Sequence, residues 1–137
     1  MGWTRKATEV VHRGPFIVLN RDAVIRPDGS SGTYEHITVD NAVRIVALDG
    51  HGEVALVEDG FYLQRRRVLH LPGGGSGGQE PQEAALRELE EETGLVAGRA
   101  RPLGVIDPLP AVTAATTHRS LPICGPARFT AMTQRSA

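Results

Sequence analysis

The chain has 137 residues, is 40% hydrophobic and 23% charged, and carries a formal net charge of −1. That composition is ordinary for one globular unit and argues against a nucleic-acid-coating protein or a polybasic membrane binder. The single cysteine, Cys124, excludes an intramolecular disulfide framework or a cysteine-based zinc site, and no apolar run is long enough to span a bilayer. The expectation is a cytoplasmic protein whose core rests on Val, Leu, Ile and Ala, because aromatics make up only 4%.

Residues 1–14 are mixed polar and basic, with Val10 and Val11 adjacent. A strand is expected at residues 16–19, followed by alternating character over 21–26 and a turn at Pro27-Asp28-Gly29. Residues 33–39 alternate again, so the first 40 residues read as an antiparallel β meander. Residues 42–48 form a more apolar run suited to a central strand. Two apolar runs then flank Asp49-Gly50-His51-Gly52, the strongest hairpin signal in the sequence. Asp59-Gly60 is expected to break the second of these strands. Residues 67–71 form a short strand leading into a Gly-rich loop.

A helix follows from Pro81 to the glycine at Gly94. Proline suits a first turn, where its missing N–H has no partner to lose. Ala84, Ala85, Leu86, Arg87, Glu88 and Leu89 are good helix formers, and Gly94 is a natural stop. Val105-Ile106 reads as a weak strand. Beyond Asp107 the pattern is punctuated by Pro and Thr, and residues 127–137 lack the amphipathic period of a closing helix.

Six of the sixteen acidic residues lie between Glu80 and Glu92. Glu88, Glu91 and Glu92 stand at i, i+3 and i+4, so their carboxylates converge on one helix face. Such a face repels itself unless a cation neutralises it. A hard divalent cation such as Mg²⁺, which is commonly shared between carboxylates and substrate phosphates, meets that need. Arg87, four residues before Glu91, can hold that carboxylate, while Leu89 and Ala85 turn toward the core. Gly73, Gly74, Gly75, Gly77 and Gly78 allow close backbone approach to an ion or ligand. Alone, an acidic helix is most often a solvated face and a Gly-rich loop a linker; their joint spacing argues otherwise.

That spacing resembles the Nudix box. Gly73 opens it, and Arg87-Glu88-Leu89-Glu90-Glu91-Glu92-Thr93-Gly94-Leu95 completes it. The resemblance implies an α/β fold, a Nudix-type α/β/α sandwich with a mixed sheet, here preceded by the N-terminal meander. It also implies Mg²⁺- or Mn²⁺-dependent hydrolysis of a nucleoside diphosphate linked to another moiety. Carried over, Glu88, Glu91, Glu92 and Gly73 match the metal site, and Glu88, Glu91 and Arg87 the catalytic group. Outside the box, the stretches Arg21-Asp22-Ala23-Val24, residues 43–48 and 67–74, and Pro110 are similar to ADP-ribose pyrophosphatases. In that subfamily the N-terminal sheet commonly helps to build a homodimer. The chain is therefore divided into residues 1–40, a β segment packing on the core or on a partner subunit, and residues 41–137, the Nudix domain.

Arg65, Arg66 and Arg67 precede the box and could hold a phosphate, with Gly74 and Gly75 approaching the substrate. Phe61 or Tyr62 could stack on a base, although core or interface packing is the stronger expectation. Two departures from the family pattern stand out. Gln79 occupies the position of the first box Glu, with Glu80 one step late, and a glutamine keeps a carbonyl oxygen but cannot act as a base. No Asp or Glu follows Asp107, so acid–base capacity must come from the helix, and an incomplete C-terminal part is expected. The leading reading is pyrophosphate hydrolysis of ADP-ribose or another nucleotide sugar. The alternative is a degenerate Nudix module that binds a nucleotide or a partner protein without turnover.

Overall fold

The computed structural model describes residues 2–123, so Cys124 and the tail lie outside the described residues. The chain divides into two compact units, one made of Met1–Asp40 with Asp107–Thr116, the other of Asn41–Ile106 with Thr117–Ala137.

The first unit is an antiparallel sheet of β1 (Thr4–Arg13), β2 (Val18–Ile25) and β3 (Ser31–Thr38), in that order. The meander expected from the sequence is present, but two boundaries differ. Residues 4–13 form a ten-residue strand that their polar composition concealed, and the second strand starts at Val18 rather than Phe16. Every residue of β1 is exposed, so no apolar alternation marks it. Its regularity comes from pairing with β2, interrupted by irregularities between Arg5 and Ala7 and between Val10 and His12. The β2–β3 turn forms where Pro27-Asp28-Gly29 predicts it. Gly29 takes φ 86°, its N–H donates to Arg26 O, and Asp28 Oδ1 accepts from Ser30 N at 2.9 Å. Residues 107–116 dock on this sheet: Ile37 N donates to Val112 O and the Tyr34 hydroxyl to Ala111 O, both at 2.7 Å.

The second unit is built on a four-stranded mixed sheet. Its members are β4 (Ala42–Ile45), β7 (Gly73–Gly75), β8 (Ala100–Ile106) and β9 (Thr117–Pro122), in the order β7-β4-β9-β8. β4 runs parallel to β9 and antiparallel to β7, so the apolar run beginning at Ala42 is the central strand its composition implies. Val43, Ile45, Ala47, Ala84, Ala85 and Leu89 form the core cluster. Helix α1 (Pro81–Thr93) contributes Ala84, Ala85 and Leu89 from one face, as their spacing requires. Full burial of a leucine such as Leu89 stabilises by about 1.5–3 kcal/mol.

The hairpin at residues 49–52 is present in reduced form. Asp49 Oδ1 accepts from His51 N and Glu53 N, and a single bridge joins Leu48 to Val54. One expectation is overturned: Asp59-Gly60 does not break a strand. Both lie inside β5 (Val57–Phe61), which pairs in full register with β6 (Arg66–His70). The turn falls later, where Arg65 adopts φ 51° and donates its N–H to Phe61 O at 2.9 Å. A glycine is tolerated in this exposed two-stranded hairpin because its ladder hydrogen bonds need no side chain. β9, unread in the sequence, forms where Thr and Pro obscure the pattern, and is fixed by neighbours on both sides. No helix among the described residues is long and apolar enough to cross a membrane.

The N-terminal sheet holds a buried polar cluster. Asp22, 4% exposed, accepts from Arg5 Nε at 2.9 Å, and His36 Nε2 lies 3.0 Å from the same oxygen. The Thr8 hydroxyl across the strand pair, then Arg5 and His36, hold the Asp22 carboxyl below the usual carboxylate range against the opposing cost of burial. A group whose folded pKa is depressed adds stability above its unfolded value, about 3.9. That contribution is lost as pH falls through the folded value. Asp22→Asn is therefore expected to weaken the fold at neutral pH and to flatten the acid limb of its stability curve. Chemical denaturation followed between neutral and strongly acidic pH measures both.

Candidate active site

The site begins at the junction of β7 and α1. Gly73 adopts φ 153°, and a Cβ there would overlap Val43 O on the adjacent strand, so glycine is what permits the β4–β7 pairing at this point. Its N–H, turned toward the helix, donates to Glu92 Oε2 at 3.0 Å. A Cβ on Gly74 would stand 2.9 Å from Glu88 Oε1, so the glycine leaves the space that the Glu88 carboxylate fills. Strand and helix are thus joined through carboxylates lying directly against glycine backbone.

Helix α1 starts on Glu80, whose Oε2 accepts from Gln82 N at 3.1 Å and Glu83 N at 3.2 Å, with Pro81 following. This carboxylate satisfies two donors that have no partner within the helix. It is occupied as a cap. The helix ends as the sequence implies. Gly94 adopts φ 74° and donates to Glu90 O at 2.8 Å, and Leu95 packs against the core cluster.

Arg87 organises the polar face. Its Nε donates to Gln79 Oε1 at 2.7 Å, its Nη1 to Glu88 Oε1 at 3.0 Å and to Glu91 Oε2 at 3.2 Å, and its Nη2 to Gly75 O at 3.3 Å. The expected Arg87–Glu91 pair is present, and the same guanidinium also reaches the Gly-rich segment. Gln79 still offers its oxygen to the arginine, but without a charge. Glu88 is largely enclosed, its side chain 13% exposed, whereas that of Glu91 is 57% exposed. Glu83 and Glu90 face solvent.

Glu92 is the strained acid of the group. Partial burial is the main cause that raises its pKa, and the nearby Glu88 charge adds to the rise. The Gly73 N–H, His70 and Arg44 oppose it. Arg44 and His70 lie outside the helix spacing, so periodicity gave no signal for either. His70 accompanies the site through β6: its Nδ1 lies 2.8 Å from Leu71 O, and its buried Nε2 has no hydrogen-bond partner.

The predicted substrate-binding residues fall into two places. Gly74 and Gly75 lie on β7 beside the helix, with Gly75 O bound by Arg87. Arg65 and Arg67 belong to the β5–β6 hairpin, where Arg67 Nε donates to Glu58 Oε2 at 2.8 Å. Phe61 packs edge-on to His70 at 5.5 Å, while Tyr62 is 90% exposed.

The donor chemistry fits a hard divalent cation. Glu88 and Glu92 are neighbouring carboxylates, and glycine backbone lies against both of them. Among the described residues, however, no three acidic, histidine or cysteine side chains are gathered closely enough to ligate one ion together. Arg87 holds Glu88 and Glu91 instead.

A NUDIX domain profile matches residues 39–129, and a nucleoside diphosphate sugar hydrolase N-terminal domain profile matches residues 3–37. The chain belongs to the Nudix family. An ADP-ribose pyrophosphatase of Mycobacterium tuberculosis is 36% identical over 106 residues, covering 76% of this chain and 51% of that protein. A second, from Bacillus subtilis, is 34% identical over 92 residues, covering 66% and 50%. A methanol dehydrogenase activator of Bacillus methanolicus is 32% identical over 88 residues, covering 64% and 48%. The chain thus spans about half the length of these curated relatives. A crystal structure of an ADP compounds hydrolase shares the fold, with a TM-score of 0.78 and 22% identity over 89% of this chain and 67% of that one. The mixed α/β architecture and the antiparallel N-terminal sheet agree with the fold expected from the box.

The cap provides a direct check on the helix that carries the site. Glu80→Ala removes both acceptor contacts and is expected to cost about 1 kcal/mol of stability. Thermal unfolding should show the loss, and Glu80→Asp should recover part of it.

Proposed function

We propose that this chain hydrolyses the pyrophosphate bond of a nucleoside diphosphate linked to another moiety, with ADP-ribose the first candidate. The observation that carries the proposal is the Arg87 arrangement, in which one guanidinium gathers Glu88, Glu91, Gln79 and the Gly75 carbonyl at the end of β7. Similarity to two ADP-ribose pyrophosphatases supports the choice of substrate.

Glu88, Glu91 and Glu92, with the backbone at Gly73, would hold Mg²⁺ or Mn²⁺. When bound, such an ion supplies charge neutralisation at the phosphate oxygens and lowers the pKa of water. Arg87 positions Glu88 and Glu91 and keeps their repulsion in check. Glu91, the more exposed of these two acids, is assigned as the proton acceptor at Oε2. Gly74 and Gly75 allow the substrate to approach the strand closely, and Arg65 and Arg67 of the β5–β6 hairpin are assigned to its phosphates. Phosphate binding by Arg67 would compete with its bond to Glu58. Residues 1–40 form the β segment that packs on a second copy in a homodimer, supported by the wholly exposed face of β1. The assigned location is cytoplasmic.

Gln79 favours a second reading, a Nudix module that binds a nucleotide or a partner protein without turnover. It replaces an acid in the box, and no carboxylate follows Asp107.

Chromatographic detection of the nucleotide and sugar-phosphate products formed from ADP-ribose, other nucleotide sugars and dinucleoside polyphosphates, with Mg²⁺ or Mn²⁺ and with a chelator, separates the two readings. Metal-dependent turnover of ADP-ribose is expected; retained nucleotide binding with no turnover on any substrate would establish the second reading. Glu91→Gln should weaken metal binding and reduce the rate by about 10²-fold or more, the scale of lost acid–base catalysis. An unchanged rate would remove the helix from the chemistry. Gln79→Glu restores an acid opposite Arg87 and is expected to raise turnover, measured as kcat/KM in the same assay.

A further inference from the structure

Arg87, His70 and Arg44 all act on the carboxylates of α1, but they differ in the donors they keep free. Arg87 gives Nε to Gln79, Nη1 to Glu88 and Glu91, and Nη2 to Gly75 O. His70 has Nδ1 2.8 Å from Leu71 O, and its Nε2 is enclosed where no ligand reaches it. Arg44 is half-buried, and its Nη1 donates to Val43 O at 3.1 Å. Among the described residues its Nε and Nη2 hold no hydrogen bond, yet neither is a buried atom, so both reach solvent.

The fold puts this guanidinium at the carboxylate cluster. β4 sets Arg44 opposite Gly73 in the register with β7. Arg44 Nη1 stands 2.8 Å from the position a Gly73 Cβ would take, so the guanidinium lies against the glycine whose N–H binds Glu92. Burial chiefly raises the Glu92 pKa, and the Arg44 charge is among the groups that oppose the rise. Glu92 nevertheless takes its hydrogen bond from Gly73 and leaves the Nε–Nη2 edge of Arg44 open. That edge carries two N–H donors on one side of a plane. Arg21 uses the same edge in this chain, where its Nε and Nη2 donate to Glu35 Oε1 at 3.0 and 2.7 Å. Two donors so arranged match the oxygens of a phosphate, and a guanidinium sheds water more readily than an ammonium. The bond to Val43 O holds the group before a ligand arrives, which lowers the entropy lost on binding.

We infer that Arg44 is a substrate-binding residue whose Nε–Nη2 edge grips the diphosphate beside the carboxylate cluster. The inference rests on the reading of the ligand as a nucleoside diphosphate derivative, and adds to it a residue outside both the box and the β5–β6 hairpin. Arg44 binds and orients; it moves no proton, because a guanidinium stays charged at neutral pH.

Isothermal titration of the full chain in Mg²⁺ with the methylene analogue of ADP-ribose, in which CH₂ replaces the bridging oxygen and blocks turnover, reads this contact. Arg44→Gln should weaken binding about 10- to 100-fold, the scale of a hydrogen bond between charged groups. Arg44→Lys, which keeps the charge but loses the two-donor edge, should recover only part. Mn²⁺ binding without nucleotide, followed by electron paramagnetic resonance, should be no weaker in Arg44→Gln, because a positive charge beside the carboxylates has been removed. Arg101→Gln, which removes a charge from an exposed position of β8, should bind the analogue as the wild type does. The inference is overturned if the wild type fails to bind the analogue, if Arg44→Gln binds it normally, or if Arg44→Lys is indistinguishable from wild type. It is also overturned if Arg101→Gln weakens binding equally, which would indicate a net-charge effect, or if Arg44→Gln loses Mn²⁺ in parallel, which would indicate a role in holding the strands alone. Analogue binding that depends on Arg44 without turnover of ADP-ribose would defeat the hydrolytic reading and leave this contact standing. Turnover with an indifferent Arg44→Gln would do the reverse.

Discussion

A single guanidinium holds the polar face of the helix together. Without Arg87, Glu88 and Glu91 would face each other one turn apart with Glu92 beside them, and their repulsion would oppose the helix that carries them. Arg87 instead donates to Gln79, Glu88, Glu91 and the Gly75 carbonyl. It thereby connects the loop before the helix, the helix itself and the edge strand β7. The opposite face of the same helix buries Ala84, Ala85 and Leu89 against the sheet. Core packing fixes where the helix lies, and the arginine fixes how its acids are arranged.

Glycine makes that arrangement possible for steric reasons. At Gly73 a side chain would collide with the carbonyl of Val43, and at Gly74 it would crowd the Glu88 carboxylate. Backbone can therefore approach carboxylate closely enough for the Gly73 N–H to bind Glu92. Partial burial and Glu88 nevertheless push the Glu92 pKa upward. A site with this imbalance gains from an added cation.

The two units solve the problem of burial differently. The second has an apolar core of Val43, Ile45, Ala47 and the helix residues. The first buries Asn20 and Asp22 beside Val24, and gives each a hydrogen-bond partner from a neighbouring strand. Asn20 donates to Thr38 Oγ1 at 2.9 Å, while Asp22 is tied to Arg5 and His36. Polar alternation therefore carries structural information in this sheet, although a reading based on hydrophobicity treats such residues as solvent-facing.

The box, the helix from Pro81 to Thr93 and its glycine stop were legible in the sequence because their spacing is local. Carboxylates at i, i+3 and i+4 share a face whatever surrounds them, and Gly94 ends the helix by its own backbone preference. The meander and the central strand beginning at Ala42 were legible for the same reason, through turn residues and apolar runs. Tertiary structure decided the rest. β1 and β9 exist because neighbouring strands pair with them, not because their residues alternate. Asp59-Gly60 stays within a strand because β6 supplies its ladder. Arg44 and His70 approach Glu92, and Glu80 becomes a cap, through contacts that no helical period encodes. Local spacing determined which acids share a face; long-range pairing decided which residues stand opposite them.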